Sequence, residues 1–513
     1  MNRRLPTESR DLLRKLLAVA SGGILYGLAF PPHDRATLAW VALVPLLLVV
    51  RGRSPLQAYL CGMAYGFVCS ATVAGWLATT LARFFELPVL SGQLLAALYA
   101  LAFWGIPFGL FAAGAARLLA SHRPTTATIA IAALWVATEL LRGRILGQPW
   151  CLLGYSQHAH VALIQVSTLG AVYGVSFLVA LGNAAIAETT ALVWHHRARE
   201  AVRPVVVAAA LVALAWVGGA ALVPRGATAA TLPVAIVQTN VAPAVRWTRA
   251  YTDRQITAHV GMTDESIAER GTRLIVWPEN AVPRYLEVEP GLAALLASLA
   301  RRHDSDLLFG APRFEGGRSF NSIRLITADG RNGGYYDKQR LVLVAEGDPI
   351  RPPAPSGPDE NPLQFTPGQD PGVLRSGVVP LGVSICHEIL FPELTTRAVA
   401  AGAELLVNVS NDGWLDPQTG VASRQHAAMA VFRAVETRRF LVRAAMTGVS
   451  VVVDPYGRVL TELGPDERGV LHARVDGRTG MAPYARLGDV FALGCVLAAA
   501  AALSTGRRAR STA

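Results

Sequence analysis

The chain has 513 residues, a length that allows about three average domains, or a membrane region joined to one large domain. Hydrophobic residues make up 52% and charged residues only 16%, whereas an ordinary soluble chain is about 25% charged. This composition excludes a wholly soluble enzyme and a disordered protein, and it favours an integral membrane protein. The formal net charge of +11 would also fit nucleic-acid binding. The positions of the basic residues along the chain distinguish the two interpretations.

Apolar segments poor in charge form two blocks on either side of a polar block. Eight of them are candidate membrane spans: residues 17–30, 38–50, 56–81, 87–116, 126–141, 164–194, 204–223 and 487–503. Several reach the ~20 residues needed to cross a ~30 Å hydrocarbon core. We therefore predict a membrane region of seven helices over residues 1–224, a polar domain over 225–485, and an eighth helix with a basic tail over 486–513.

The basic residues of the short loops predict how these spans are oriented. With a cytoplasmic N-terminus, the inside segments carry fifteen Lys and Arg residues and the outside short loops carry four. Positive charge is retained on the cytoplasmic side of membranes, so this orientation is favoured. An even number of spans then leaves both termini inside and the polar block outside. Most of the positive charge reflects topology, and nucleic-acid binding is not expected.

The polar block alternates between strand-length apolar runs and helical patterns. The apolar runs are residues 234–238, 274–277, 307–310, 381–385, 405–409 and 449–453, and helical patterns cover residues 252–269 and 292–302. This alternation predicts an α/β domain. Residues 348–371, which are rich in Pro, Gly and Asp, are predicted to form a long loop.

Three places in the polar block carry a reactive side chain next to an apolar or aromatic run. Glu279 follows the run at 274–277, Lys338 follows two tyrosines, and Cys386 follows the run at 381–385. A cysteine at a strand-to-helix turn can lie near a helix N-terminus, which favours the thiolate form. Cys386 could therefore be exposed at a sheet edge, in a position that favours its thiolate form.

Each of these residues also has an ordinary interpretation when taken alone. Lys338 is one of only two lysines among 47 basic residues, and a compact ammonium suits oxyanion stabilisation, but it could equally be a surface lysine. Glu279 could be a solvated carboxylate, and Cys386 could be a small buried hydrophobe. His387 is disfavoured as a base for Cys386, because adjacent strand residues point to opposite faces.

The polar block shows no pattern of metal ligands or disulfides. His303, His387 and His426 are not spaced with carboxylates or cysteines as metal ligands usually are. Five cysteines are too few for a disulfide framework in a chain of this length. A metal site is therefore not expected.

Taken together, the three reactive residues resemble the Glu–Lys–Cys triad of the nitrilase, or carbon–nitrogen hydrolase, superfamily. The flanking residues agree: Val-Trp-Pro-Glu-Asn around Glu279, Tyr-Tyr-Asp-Lys at Lys338, Ser-Ile-Cys-His-Glu around Cys386, and Asn-Val-Ser-Asn-Asp-Gly-Trp at 408–414. With a polytopic region, Leu-Arg-Gly at 141–143 and the segment at 148–157, the chain is similar to the apolipoprotein N-acyltransferase family. The resemblance implies an α-β-β-α sandwich outside the bacterial inner membrane.

That family transfers a fatty acyl chain from a membrane phospholipid to the N-terminal α-amino group of a diacylglyceryl-cysteine apolipoprotein. The resemblance implies that Cys386 carries the acyl chain as a thioester, with Glu279 as general base and Lys338 as oxyanion stabiliser. It also implies the partners, which are a phospholipid donor, an apolipoprotein acceptor and the membrane, and it implies that no soluble cofactor or metal is required.

The resemblance carries over to five further positions. Glu346 and Glu388 match supporting carboxylates, while Trp247, Trp414 and His387 match positions that line or gate the substrate site. For the two tryptophans, anchoring at the lipid headgroup level is an equally good interpretation.

The chain departs from the family pattern at three places. Residues 343–347 read Leu-Val-Ala-Glu-Gly where a Pro-Phe-Gly-Glu-Tyr-like run is usual, His387 stands where Tyr is common, and Met446 where Asn is common. Two alternatives remain: a membrane-tethered amidase or nitrilase that hydrolyses a small amide or nitrile, and a transporter or scaffold whose nitrilase-like domain only binds lipid.

Overall fold

The computed structural model describes residues 7–226, 228–242, 247–267, 271–342, 346–347, 364–416 and 418–505. The chain forms two compact units. One comprises Met1–Val223 and Asp489–Ala513, and the other comprises Pro224–Gly488.

The first unit is helical. Its helices are α1 (Thr7–Leu28), α2 (Val44–Val50), α3 (Pro55–Val73), α4 (Leu77–Phe84), α5 (Val89–Ala100), α6 (Ile106–Ser121), α7 (Pro124–Leu140), α8 (Val161–Ile164), α9 (Ser167–Trp194) and α10 (Ala198–Leu222). Five helical segments of the described residues are long and apolar enough to cross a membrane: Pro55–Val73, Val89–Ser121, Pro124–Ile145, Ser167–Trp194 and Ala198–Leu222. The predicted number of eight spans and their orientation stay predictions.

A segment outside the α-helices, which includes the 3-10 turn Leu153–Gln157, is buried inside this unit between α7 and α9. Residues 151–157 are all buried, so their backbone polar groups need partners within the protein. The N–H of Leu153 donates to Glu139 Oε1 at 2.6 Å, and the N–H of Gly154 donates to Ser176 Oγ at 2.8 Å. These side chains explain how irregular backbone is retained within an apolar helical bundle.

Among its described residues, the second unit contains twelve strands and five helices. They are β1 (Leu232–Gln238), α11 (Arg249–Ile267), β2 (Leu274–Val276), α12 (Pro290–His303), β3 (Asp306–Glu315), β4 (Arg318–Ile326), β5 (Asn332–Asp337), β6 (Val373–Arg375), β7 (Pro380–Ile385), α13 (Pro392–Ala400), β8 (Leu405–Ser410), α14 (Val421–Thr437), β9 (Leu441–Ala445), β10 (Ser450–Val453), β11 (Val459–Leu463), β12 (Gly469–Val475) and α15 (Pro483–Leu487). The last helix of the chain, α16 (Val490–Thr505), belongs to the first unit.

Two six-stranded sheets pack face to face in the second unit. Their strand orders are β12-β1-β2-β3-β4-β5 and β11-β10-β9-β8-β7-β6. Side chains alternate between the faces of each strand. On β1, Val234 and Ile236 lie in the core between the sheets, whereas Ala235 and Val237 pack towards α11 and α12. Helices α13 and α14 pack against the other sheet. The domain is therefore the expected α-β-β-α sandwich.

Two parallel strands, β2 and β7, end next to Glu279 and Cys386, whereas Lys338 follows the antiparallel strand β5. In one sheet β1, β2 and β3 are parallel, and in the other β7, β8 and β9 are parallel. The carboxyl ends of parallel strands are where α/β folds place their ligands.

The fold class predicted from sequence is confirmed. Each of the six predicted strands overlaps an observed strand, with residue 277 just beyond β2 and residue 449 just before β10. The two helical patterns fall in α11 and α12, apart from residues 268 and 269, which lie outside the described residues. Of the predicted loop at 348–371, residues 348–363 also lie outside them. The sequence pattern missed six strands, namely β4, β5, β6, β9, β11 and β12.

Candidate active site

Glu279 is held at the carboxyl end of β2. Pro278 cannot donate a ladder hydrogen bond, so the short strand ends before it. The neighbouring strand approaches closely at Gly310, where a Cβ atom would lie 2.6 Å from Glu279 Cα and 2.5 Å from the backbone nitrogen of Asn280. Glycine is thus required at this position. The carboxylate of Glu279 is buried, with 3% of the residue exposed.

Both carboxylate oxygens of Glu279 have hydrogen-bond donors. Oε1 accepts from Lys338 Nζ at 3.1 Å and from Asn321 Nδ2 at 2.8 Å. Oε2 accepts from the backbone N–H of Asn411 at 2.9 Å. The donors come from both sheets, because Asn321 lies on β4 and Asn411 follows β8.

Lys338 follows β5 and lies between two carboxylates. Its Nζ also donates to Glu346 Oε1 at 2.7 Å, and the same oxygen accepts from Asn321 Nδ2 at 2.8 Å. Burial lowers the pKa of Lys338, but the charges of Glu279 and Glu346 outweigh burial and raise that pKa above its usual value. Lys338 is therefore an ammonium ion over the whole physiological range.

Cys386 occupies a strained turn directly after β7. Its φ is +54°, in the left-handed region that non-glycine residues seldom adopt and that often occurs at functional sites. The residue begins a short 3-10 turn, Cys386–Leu390, and only 1% of it is exposed. Its backbone carbonyl accepts a hydrogen bond from Asn408 Nδ2 at 3.2 Å.

The protonation state of Cys386 differs from the sequence expectation. Burial and then the negative charge of Glu279 raise the pKa of the Cys386 thiol, and the lowering by Lys338 does not offset them. The expectation of a thiolate favoured by a helix N-terminus is wrong, because the next α-helix begins only at Pro392 and burial dominates. The resting side chain is a thiol, so reaction as a nucleophile needs a base.

The Glu388 side chain connects β7, the strand before Cys386, to the segment after Lys338 through hydrogen bonds. It is fully buried, and its carboxylate accepts from the backbone N–H groups of Ile385 at 2.8 Å, Gln339 at 2.6 Å and Arg340 at 3.0 Å. The hydroxyl of Tyr336 donates to it at 3.0 Å. Burial raises the pKa of Glu388, against the opposing effect of the N–H donors.

The three predicted substrate-binding residues are placed as follows. The Nδ1 atom of His387 is buried without a hydrogen-bond partner among the described residues, and its ring centroid lies 5.7 Å from that of Phe391. Burial, and then the charge of Lys338, lower the pKa of His387, so the ring is neutral. Trp247 and Trp414 are half-buried. Substrate binding by these residues stays a prediction.

Sequence reasoning missed the three asparagines that contact the candidate residues. Asn408 and Asn411 lie in the 408–414 run that carried part of the resemblance, so a signal for them was present. Asn321 lies on β4, which the sequence pattern did not predict. Within the described part of the chain, no group of three or more His, Cys, Asp or Glu residues is arranged to hold a metal ion.

Two family profiles match the two parts of the chain. Residues 233–484 match the profile described as "Carbon-nitrogen hydrolase", and residues 22–185 match "Apolipoprotein N-acyltransferase N-terminal domain". The two-sheet sandwich with Glu279, Lys338 and Cys386 at its strand ends is therefore a carbon–nitrogen hydrolase domain. It is joined to an apolar helical region with a family profile of its own.

Full-length relatives define the family more closely. The apolipoprotein N-acyltransferase of Geobacter metallireducens is 33% identical over 99% of this chain and 98% of its own length. That of Pseudomonas syringae pv. tomato is 31% identical over 91% of this chain and 92% of its own length. A solved carbon–nitrogen hydrolase from Helicobacter pylori is 20% identical over 48% of this chain and 89% of its own, with a TM-score of 0.39. The chain belongs to the apolipoprotein N-acyltransferase family and is an integral membrane protein.

Proposed function

We propose that this protein transfers a fatty acyl chain from a membrane phospholipid, through a thioester on Cys386, to the N-terminal α-amino group of a diacylglyceryl-cysteine apolipoprotein. One observation carries the proposal: a buried thiol lies beside a buried Glu279–Lys338 pair in a chain of this family. The donor and acceptor classes follow from the family, and the roles of the residues follow from the geometry.

The first half-reaction makes the thioester. Glu279 takes the proton from the Cys386 thiol as the sulfur attacks the ester carbonyl carbon of the phospholipid. Lys338, already an ammonium ion, stabilises the negative oxygen of the tetrahedral intermediate. The carbon–oxygen bond then breaks, Glu279 returns its proton to the leaving oxygen, and a lysophospholipid departs.

The second half-reaction discharges the thioester to an amine. The α-amino nitrogen of the acceptor attacks the thioester carbonyl, Glu279 accepts a proton from that nitrogen, and the carbon–sulfur bond breaks. Glu279 returns this proton to the leaving sulfur, so the thiol is restored and an amide is formed. Glu346 and Asn321 hold the Glu279–Lys338 pair in place in both steps. Glu346 accepts a hydrogen bond from Lys338, and Asn321 donates hydrogen bonds to both Glu279 and Glu346.

Both substrates carry long acyl chains, which explains the fusion to apolar helices. Removing such chains from hydrocarbon costs about 0.8 kcal/mol per CH₂, so the reaction belongs at a membrane surface. The count of loop Lys and Arg residues supports a catalytic domain on the outer side of a bacterial inner membrane, with both termini in the cytoplasm. A topology reporter inserted in the exposed Gly316–Gly317 turn should be active on the outer side, and cytoplasmic activity would reject this orientation.

Mass spectrometry of the full-length protein tests the chemistry directly. Incubation with phospholipid vesicles should add one fatty acyl group to Cys386, and a diacylglyceryl-cysteine peptide should then remove it with formation of an amide. Cys386→Ser should abolish the adduct. Cys61→Ser is the matched control, because Cys61 is a free cysteine of the other unit, and it should leave the adduct unchanged. Prompt hydrolysis without adduct or transfer would favour a membrane-tethered amidase instead.

A further inference from the structure

Arg443 is a buried arginine that contacts two separated residues of one segment. It lies on β9 and is fully buried. Its Nη1 donates to Asn408 Oδ1, and its Nη2 donates to Asp412 Oδ2 at 2.6 Å. The guanidinium thus connects both ends of residues 408–412, which we call the asparagine segment. A fixed planar fork suits this task, whereas a lysine ammonium could not span the two ends in the same way.

The asparagine segment contacts two of the residues proposed to react. At one end, Asn408 Nδ2 donates to the carbonyl of Cys386 at 3.2 Å and to Ser384 Oγ at 3.0 Å. Near the other end, the N–H of Asn411 donates to Glu279 Oε2 at 2.9 Å. One segment therefore bonds to both the nucleophile turn and the base.

The contact with Arg443 determines which way the Asn408 amide faces. Strand register places Asn408 between Ser384 on β7 and Arg443 on β9. Because the guanidinium of Arg443 can only donate hydrogen bonds, the amide oxygen of Asn408 must face Arg443. The amide nitrogen of Asn408 must then face Cys386. Without the guanidinium, the Asn408 side chain could turn over and leave the Cys386 carbonyl unpaired.

Asp412 keeps the guanidinium in place. Besides Arg443, its carboxylate accepts from Ser410 Oγ at 2.7 Å and contacts His426 Nδ1 at 3.0 Å. Burial raises the pKa of Asp412, but the charge of Arg443 and the hydrogen bonds with His426 and Ser410 outweigh burial and lower that pKa. Burial, followed by the charge of Arg443, lowers the pKa of His426. The cluster is an ionised Arg–Asp pair beside a neutral imidazole.

We propose that Arg443 is a positioning residue that, through the asparagine segment, sets the geometry between the Cys386 sulfur and the Glu279 carboxylate. This inference rests on the proposed function for the identity of the nucleophile and the base. Arg443 contacts neither of them itself, so its loss should slow acylation of Cys386 with little change in KM for the phospholipid. A displacement of the order of 1 Å at a reacting centre can cost about 100-fold in rate.

The test is Arg443→Lys, which keeps the charge and removes the fork. We expect about a 100-fold slower acylation of Cys386 by phospholipid. The matched control is Arg439→Lys: Arg439 is also buried and donates to the backbone carbonyls of Ala403, Thr437 and Gly480. The control should lose stability to a similar degree but retain acylation. Acylation of Arg443→Lys within twofold of the control would overturn the inference.

A second measurement separates positioning from a purely structural role. Cys386 is alkylated with iodoacetamide, and the rate is compared with and without Glu279→Gln in wild-type and Arg443→Lys backgrounds. Glu279→Gln removes a charge that raises the pKa of the Cys386 thiol, but it also removes the base that takes the thiol proton as the sulfur reacts. We expect loss of the base to dominate, so Glu279→Gln should slow alkylation strongly in the wild type and only weakly in Arg443→Lys. An equal effect in both backgrounds would reject the positioning role.

The same comparison can be made with Asp412→Asn if Arg443→Lys fails to fold. Asp412→Asn preserves the shape of the side chain and removes the charge that anchors Arg443, so it should weaken the effect of Glu279→Gln in the same way. Alkylation needs no lipid, so the outcome is independent of the acyl donor. Absence of an acyl adduct in the wild type would reject the proposed function but not the coupling of Arg443 to the thiol.

Discussion

Replacing Lys338 by Met should separate its role in stability from its role in catalysis. Met fills a similar volume, but it leaves the buried carboxylate of Glu279 and the partly buried carboxylate of Glu346 without the ammonium that lies 3.1 Å from one and 2.7 Å from the other. Removing one partner of a buried charge pair costs about 3–5 kcal/mol. Loss of an oxyanion partner costs about 10²–10³ in rate. We therefore expect a folded but destabilised protein with almost no acylation of Cys386.

The double variant Lys338→Met with Glu346→Gln tests that explanation. Neutralising Glu346 removes one of the two uncompensated charges, so it should recover about 1–3 kcal/mol of unfolding free energy. Acylation should remain lost, because no cation faces the developing oxyanion. Chemical unfolding of the full chain and the rate of adduct formation are the assays, with Glu346→Gln alone as the control. A Lys338→Met protein as stable as the wild type, or a double variant with restored acylation, would refute this reasoning.

Three further predictions concern residues around this site. Gly310→Ala should displace the Glu279 segment and slow adduct formation on Cys386 more than tenfold, because a Cβ there meets backbone atoms at 2.5–2.7 Å; a normal rate would contradict the packing argument. Glu388→Gln should cost about 1–3 kcal/mol in thermal unfolding, since one of its N–H or O–H donors would face an amide NH₂, and an unchanged unfolding temperature would argue against that role. Burial lowers the pKa of His259 to about 4; stability should therefore be complete above the unfolded pKa of about 6.5 and fall by about 3 kcal/mol towards pH 4. In His259→Gln the pH curve of unfolding free energy should be flatter over this range, and parallel curves would contradict the assignment.

The residues that define the family and the fold class were readable from the sequence. Apolar runs of strand length ended at Glu279 and Cys386, and alternation of such runs with helical patterns predicted the layered α/β domain. These signals are local: an apolar run and the residue that ends it are neighbours in the chain. The same holds for the apolar helices, since length and composition alone indicate a membrane segment.

Tertiary structure decided which groups meet and in which protonation state. Glu279 lies in one sheet and Cys386 in the other, so their proximity depends on how two sheets pack. The thiol form of Cys386 depends on burial and on charges from distant parts of the chain, which no local pattern contains. The contacts of Arg443 and Asn321 could not be predicted from the sequence for the same reason. A polar residue on a buried strand acquires a role only from its partners on neighbouring strands.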